Sequence, residues 1–113
     1  MKGSHIHVSV KDLKSAVQWS EEILSLKPEY QNDRMAVVPM GGFSVIFDSA
    51  DHDTVATITF DSEDCRKDFN SIFKRGAEVI EEPSQQPWGV IAAYIKGPGR
   101  LTFEIEQVVN NKK

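Results

Sequence analysis

Cysteine, basic charge and long apolar runs are all scarce in this chain of 113 residues. The one cysteine, Cys65, has no partner for an internal bridge. A disulfide scaffold is therefore excluded, and a reducing, cytoplasmic setting is expected. Lysine and arginine total 13 against 17 acids, a formal net charge of −4. The acids are spread along the chain and no basic stripe forms, which argues against a nucleic-acid surface. No apolar run approaches the roughly 18 residues that a membrane-spanning helix needs. The opening Met1-Lys2-Gly3-Ser4-His5 lacks the hydrophobic stretch of a signal peptide. Gly41-Gly42 reads as a turn without the flanking pattern of a phosphate loop. The tail Asn110-Asn111-Lys112-Lys113 reads as disordered.

What is present suits one ordinary globular domain. Hydrophobic residues make up 40% and charged residues 27%, enough for a core without staples. Ile6, Val8 and Val10 alternate with His5, His7 and Ser9, the pattern of a half-buried strand. Asp12 is placed as a helix N-cap. Leu13, Ala16, Val17, Ser20 and Leu24 follow at helical spacing, with Pro28 marking the helix end. Short strands are predicted around 29–32, 34–38 and 43–48. The order then restarts: an alternating strand over 55–60, a helix capped by Asp61 or Ser62, and an apolar face of Cys65, Phe69, Ile72 and Phe73. Gly76 stops that helix, and strands follow near 78–81, 90–96 and 101–107. Pro83, Pro87-Trp88-Gly89 and Gly97-Pro98-Gly99 separate them. Val10 falls on Phe60 and Trp19 on Phe69, a repeat of about 50 residues. Each helix covers one sheet face and no segment remains to cover the other, which is expected to form a cup.

The pleat also picks out candidate site residues. His5 and His7 share a strand face, and Glu104, Glu106 and Thr102 share another. All lie opposite the apolar, helix-facing sets. Two imidazoles and two carboxylates are the right donor types for Zn, Ni, Mn or Fe. The plainer alternative is that His7 hydrogen-bonds Glu104 or Glu106 across neighbouring strands. His52 is read as a linker residue. Trp88, in a loop bounded by proline and glycine, is either a lid over a ligand or a plug in the core. Tyr94 shares a face with Val90 and Ala92. Trp19, Phe69 and Phe73 are expected in the core, with Cys65 buried and inert beside them.

His5-Ile6-His7-Val8-Ser9-Val10-Lys11-Asp12-Leu13, followed by Trp19 and Glu22-Ile23-Leu24-Ser25-Leu26, resembles the opening of the glyoxalase/bleomycin-resistance/dioxygenase group, also called the vicinal oxygen chelate superfamily. Pro87-Trp88-Gly89 and Gly97-Pro98-Gly99-Arg100-Leu101-Thr102-Phe103-Glu104-Ile105 resemble its closing segment. The resemblance implies an α+β fold. Two βαβββ modules, about 1–50 and about 54–109, form curved mixed sheets around a cup-shaped pocket with helices on the outer face. It also implies a homodimer and a small-molecule ligand. In metal-dependent members the ligands come from the first and last strands of each module. His5 and Glu104 match two of those positions. The other two hold Ile46 and Val55, and Gly97 and Gly99 stand where acids are usual.

Two functions follow as expectations. One is a metal-free binding protein that sequesters a drug or metabolite, with His7, Trp88, Tyr94 and Glu106 as ligand contacts. The other is a divalent-metal-dependent lyase, isomerase or antibiotic-modifying transferase. It would use His5 and Glu104 as metal ligands and Glu104 as the catalytic base. Beside these two stands a plainer expectation, an accessory or regulatory module without chemistry of its own.

Overall fold

The alternating opening forms strand β1, His5–Val10, and helix α1 follows over Leu13–Leu24. The computed structural model describes residues 1–109, so the tail from Asn110 lies outside the described residues. Strands β2, Tyr30–Gln31, β3, Met35–Pro39, and β4, Ser44–Ser49, complete a first sheet in the order β1-β4-β3-β2. The plan then repeats. Strand β5, Val55–Asp61, leads to α2, Cys65–Lys74, and then to β6, Val79–Gln86, β7, Val90–Lys96, and β8, Arg100–Val108. The second sheet has the order β5-β8-β7-β6, which is the first order over again. The internal repeat read from the sequence is thus a repeat of topology. The fold is α+β, two βαβββ modules with open, mixed sheets.

The chain forms two units by contact, 1–55 with 98–100, and 56–97 with 101 onward. In the first, β1 and β4 pair in parallel while β3 and β4 pair antiparallel. Val8, Val10, Val45, Phe47, Ala36 and Val38 point to the side that α1 covers, each no more than 1% exposed. Helix α1 rests on β3 and β4 and buries Ala16, Val17 and Ile23. In the second unit α2 lies against β6 and β7. There Ile95, Leu101 and Phe103 are fully buried, with Ile105 close behind. Each such side chain contributes about 1.5–3 kcal/mol of transfer free energy.

The helix ends depart from the sequence expectations for local reasons. Asp12 caps α1 as expected, accepting the Ser15 amide at 3.0 Å and its hydroxyl at 2.8 Å. The helix stops at Leu24, before Pro28. Ser25 adopts the left-handed conformation (φ 58°), and the Leu26 amide donates to the Ser20 carbonyl at 3.0 Å. Helix α2 is capped by Asp64, not by Asp61 or Ser62. The Asp64 carboxylate accepts the Lys67 amide at 3.1 Å, while Asp61 still belongs to β5. Ser62 instead donates its hydroxyl to Asp68 at 2.6 Å.

Pro83 does not separate strands; it lies inside β6. The register with β7 shifts between Glu81 and Ser84, and a proline without an N–H costs no ladder bond at such a bulge. The aromatic residues assigned to the core correct differently. Phe73 is 53% exposed and stacks on half-buried Phe69 at 6.0 Å. Trp19 is likewise only half-buried. Cys65 is fully buried, as expected.

Candidate functional site

On the first sheet, the face away from α1 carries His5, His7 and Ser9 from β1, then Ser44, Ile46 and Asp48 from β4. Strand register aligns His7, Ile46, Val37 and Tyr30 in one row across four strands. Ile46 is 8% exposed and gives that row an apolar floor. His7 Nδ1 lies 2.7 Å from Asp48 Oδ2. A carboxylate only accepts, so Nδ1 is the donor. The His7 partner is therefore Asp48 on the neighbouring parallel strand, not Glu104 or Glu106. His5 stands edge-on to His7 with ring centroids 5.4 Å apart, and its Nδ1 lies 2.7 Å from the Ser4 hydroxyl.

On the second sheet, the face away from α2 carries Thr59 from β5, Thr102, Glu104 and Glu106 from β8, and Tyr94 from β7. Tyr94 stands opposite Glu104 in register, and Ala92 opposite Glu106. The Thr59 hydroxyl donates to Glu104 Oε1 at 2.8 Å, and the Tyr94 hydroxyl donates to Oε2 at 3.0 Å. Both carboxylate oxygens are therefore held in place by neutral donors. Glu81, on β6, faces Tyr94 across the next pairing. Burial pushes the Tyr94 phenol above its usual range. The hydrogen bond to Glu104 and the charges of Glu104, Glu81 and Glu106 push it the same way.

The remaining candidates are more scattered. Trp88 is 63% exposed in the turn between β6 and β7, so it does not plug the core. His52 sits in the linker and contacts Asp51 at 3.0 Å. Val55 is 65% exposed. The Cys65 thiol is pushed up by burial and donates to the Ile105 carbonyl at 3.3 Å, which leaves it a poor nucleophile. A cavity of about 220 Å³ lies on the helix side of the first unit, lined by Val10, Asp12, Trp19, Asp53 and Pro98 among others. It is smaller than the ~300–1,000 Å³ of ordinary ligand pockets.

Sequence reasoning missed Asp48, Thr59 and Glu81. The first was available as the residue two beyond Ile46 on an alternating face. The other two needed the strand order, which the sequence does not state.

The donor set fits a divalent metal poorly. Structural and catalytic zinc sites take three or four protein ligands. Here apolar Ile46 and Val55 stand at two of the four positions that the resemblance assigns to ligands. Among the described residues, no group of three or more His, Cys, Asp or Glu side chains gathers to hold a metal.

A duplicated βαβββ chain with open, mixed sheets defines the class of fold. The chain belongs to the Glyoxalase/Bleomycin resistance protein/Dioxygenase superfamily, whose family model matches residues 3–105. Solved structures agree on the fold. A glyoxalase/bleomycin resistance protein/dioxygenase from Nocardioides superposes with a TM-score of 0.86 at 14% identity, covering 100% of this chain and 87% of its own. TioX from Micromonospora sp. ML1 gives 0.78 at 16% identity, covering 96% and 100%. A glyoxalase-related enzyme from Fulvimarina pelagi gives 0.77 at 13% identity, covering 95% and 88%. At these identities the likeness is one of fold alone. No curated protein matches the chain by sequence.

Proposed function

We propose that the chain is a small-molecule-binding protein, active without a metal, that holds its ligand on uncovered sheet surface. One observation carries the proposal: Glu104 stands on such a surface with both oxygens fixed by Thr59 and Tyr94. A carboxylate positioned by two neutral donors is pre-organised to receive a cationic or N–H-bearing group. Glu81 and Glu106 add negative charge to the same face, and Tyr94 adds an aromatic wall. The ligand class these features favour is a planar amine. Glu106 and Tyr94 are its direct contacts, with Trp88 at the sheet end as an accessory wall. Sequestration of a drug or metabolite of this kind, by a cytoplasmic homodimer, is the biological reading.

The alternative reading is a metal-dependent lyase, isomerase or transferase, favoured by His5 and Glu104 at the two matching positions. There Glu104 is ligand and catalytic base. Apolar Ile46 and Val55 at the other two positions weigh against that, because neither can ligate a metal.

Thermal-shift titration with planar aromatic amines and their neutral phenol counterparts tests the proposal. Binding by amines that Glu104→Gln weakens tenfold or more supports it. Stoichiometric metal in untagged protein, lost in both His5→Ala and Glu104→Ala, would replace it with the enzyme reading.

A further inference from the structure

The first sheet carries a polar pair that the acidic face of the second does not explain. His7 and Asp48 meet on parallel neighbours β1 and β4, with 2.7 Å between Nδ1 and Oδ2. Their side chains are 55% and 39% exposed, on the face that α1 does not cover. This is no buried core histidine satisfying a stray carbonyl. The row beside it, Ile46, Val37 and Tyr30, is otherwise apolar or aromatic.

Neutral imidazole left alone prefers the proton on Nε2. A carboxylate on Nδ1 reverses that preference, because it can only accept. Fixing one ring nitrogen fixes the role of the other. No described residue hydrogen-bonds to His7 Nε2, and His5 meets the ring edge-on instead. In the neutral form, Nε2 is then a lone-pair acceptor on a side chain that shares its register row with Ile46 and Val37.

We infer that Asp48 is a positioning residue that locks His7 as an Nδ1–H imidazole, so that His7 Nε2 accepts a hydrogen bond from an O–H or N–H group of an aromatic ligand lying on Ile46 and Val37. This rests on the reading of the chain as a small-molecule binder and assigns a donor requirement to this surface. A carboxylate or carbonyl ligand group, which brings only acceptors, is disfavoured there. Asp48 touches no ligand and acts through the ring.

The test is long-range ¹⁵N–¹H correlation of the histidine rings in the full ¹⁵N-labelled chain. It is run near pH 8.5, where free imidazole is uncharged. The chain has three histidines, and His7→Gln assigns the His7 signals. The expected pattern for His7 is the Nδ1–H tautomer, reverting to mainly Nε2–H in Asp48→Ala while the His52 pattern stays unchanged. An Nε2–H pattern in the unmodified chain, or no change in Asp48→Ala, overturns the positioning role. This readout needs no ligand, so it stands or falls separately from the binding proposal. Phenol and benzoate then probe the donor requirement. Saturable movement of the His7 Nε2 signal by phenol but not by benzoate supports it. An equal response to both, or none to phenol at tens of millimolar, overturns it.

Discussion

Replacing Gly97 by alanine isolates one packing constraint in the second unit. A Cβ at Gly97 would lie 2.7 Å from both Cδ1 and Cε1 of Phe103 and 3.2 Å from the Leu101 Cβ. Carbon atoms in contact prefer about 3.5–4.0 Å, so the ring would have to retreat by roughly 1 Å. It has little room to do so. Phe103 is 0% exposed and stacks on Phe60 at 5.8 Å with an interplanar angle of 19°. Overpacking of this kind costs about 1–3 kcal/mol. Gly97 is absent from the glycines with positive φ, so alanine meets no backbone penalty and gains about 0.4–1 kcal/mol by restricting the unfolded chain. With a ring this confined the cost is taken at about 2 kcal/mol, so the net expectation is a loss of about 1–1.6 kcal/mol. With a urea m-value of about 1–3 kcal/mol/M, that lowers the denaturation midpoint by about 0.3–1.6 M. The same substitution in a Phe103→Leu background should cost less, because the clashing ring is gone. A Gly97→Ala variant as stable as its parent would refute the packing. So would an equal cost in both backgrounds.

In alkaline ultraviolet titration the Tyr94 phenol should ionise above the ordinary tyrosine range. Glu104→Gln should bring it back part of the way, because burial remains. The sign is fixed: a phenol whose folded value is raised lends stability below the ordinary value of about 10, and that stability is lost as pH climbs through the raised value. Tyr94→Phe should abolish this alkaline component, and its persistence would refute the assignment. The Cys65 thiol should resist aromatic disulfide reagents until denaturant is added; prompt labelling of the folded chain would contradict its burial. Phe47→Ala should cost about 3–5 kcal/mol in chemical denaturation, whereas Phe73→Ser at a half-exposed position should cost far less. Equal costs would refute the described division between core and surface.

Period-two alternation made much of this fold readable. His5, His7 and Ser9 against Val8 and Val10 revealed which side of β1 is buried, although Ile6 at the start of the strand is 43% exposed. The same logic placed Glu104 and Glu106 opposite Phe103 and Ile105. The repeat was legible because Asp12 and the apolar stripe after it recur as Asp64 and its stripe, although the second cap was misplaced. Asp61, Ser62 and Asp64 all have capping side chains, and only the length of β5 decides among them. Pro83 misled because a proline forbids a central strand position but not a bulge. The hydroxyl partners of Glu104 were illegible for a different reason. Thr59 and Glu104 are 45 positions apart, and their meeting depends on β8 lying between β5 and β7. Phe73 shows that helical spacing alone does not decide depth: it is 53% exposed while Ile72, beside it in the same turn, is buried.

The most direct test is chemical-shift mapping of the ¹⁵N-labelled chain titrated with a planar aromatic amine such as 4-aminobenzamidine. The account predicts saturable shifts centred on Thr59, Tyr94, Glu104 and Glu106, reduced tenfold or more in affinity by Glu104→Gln. Shifts confined to the exposed faces of α1 and α2, or affinity untouched by that substitution, would contradict it.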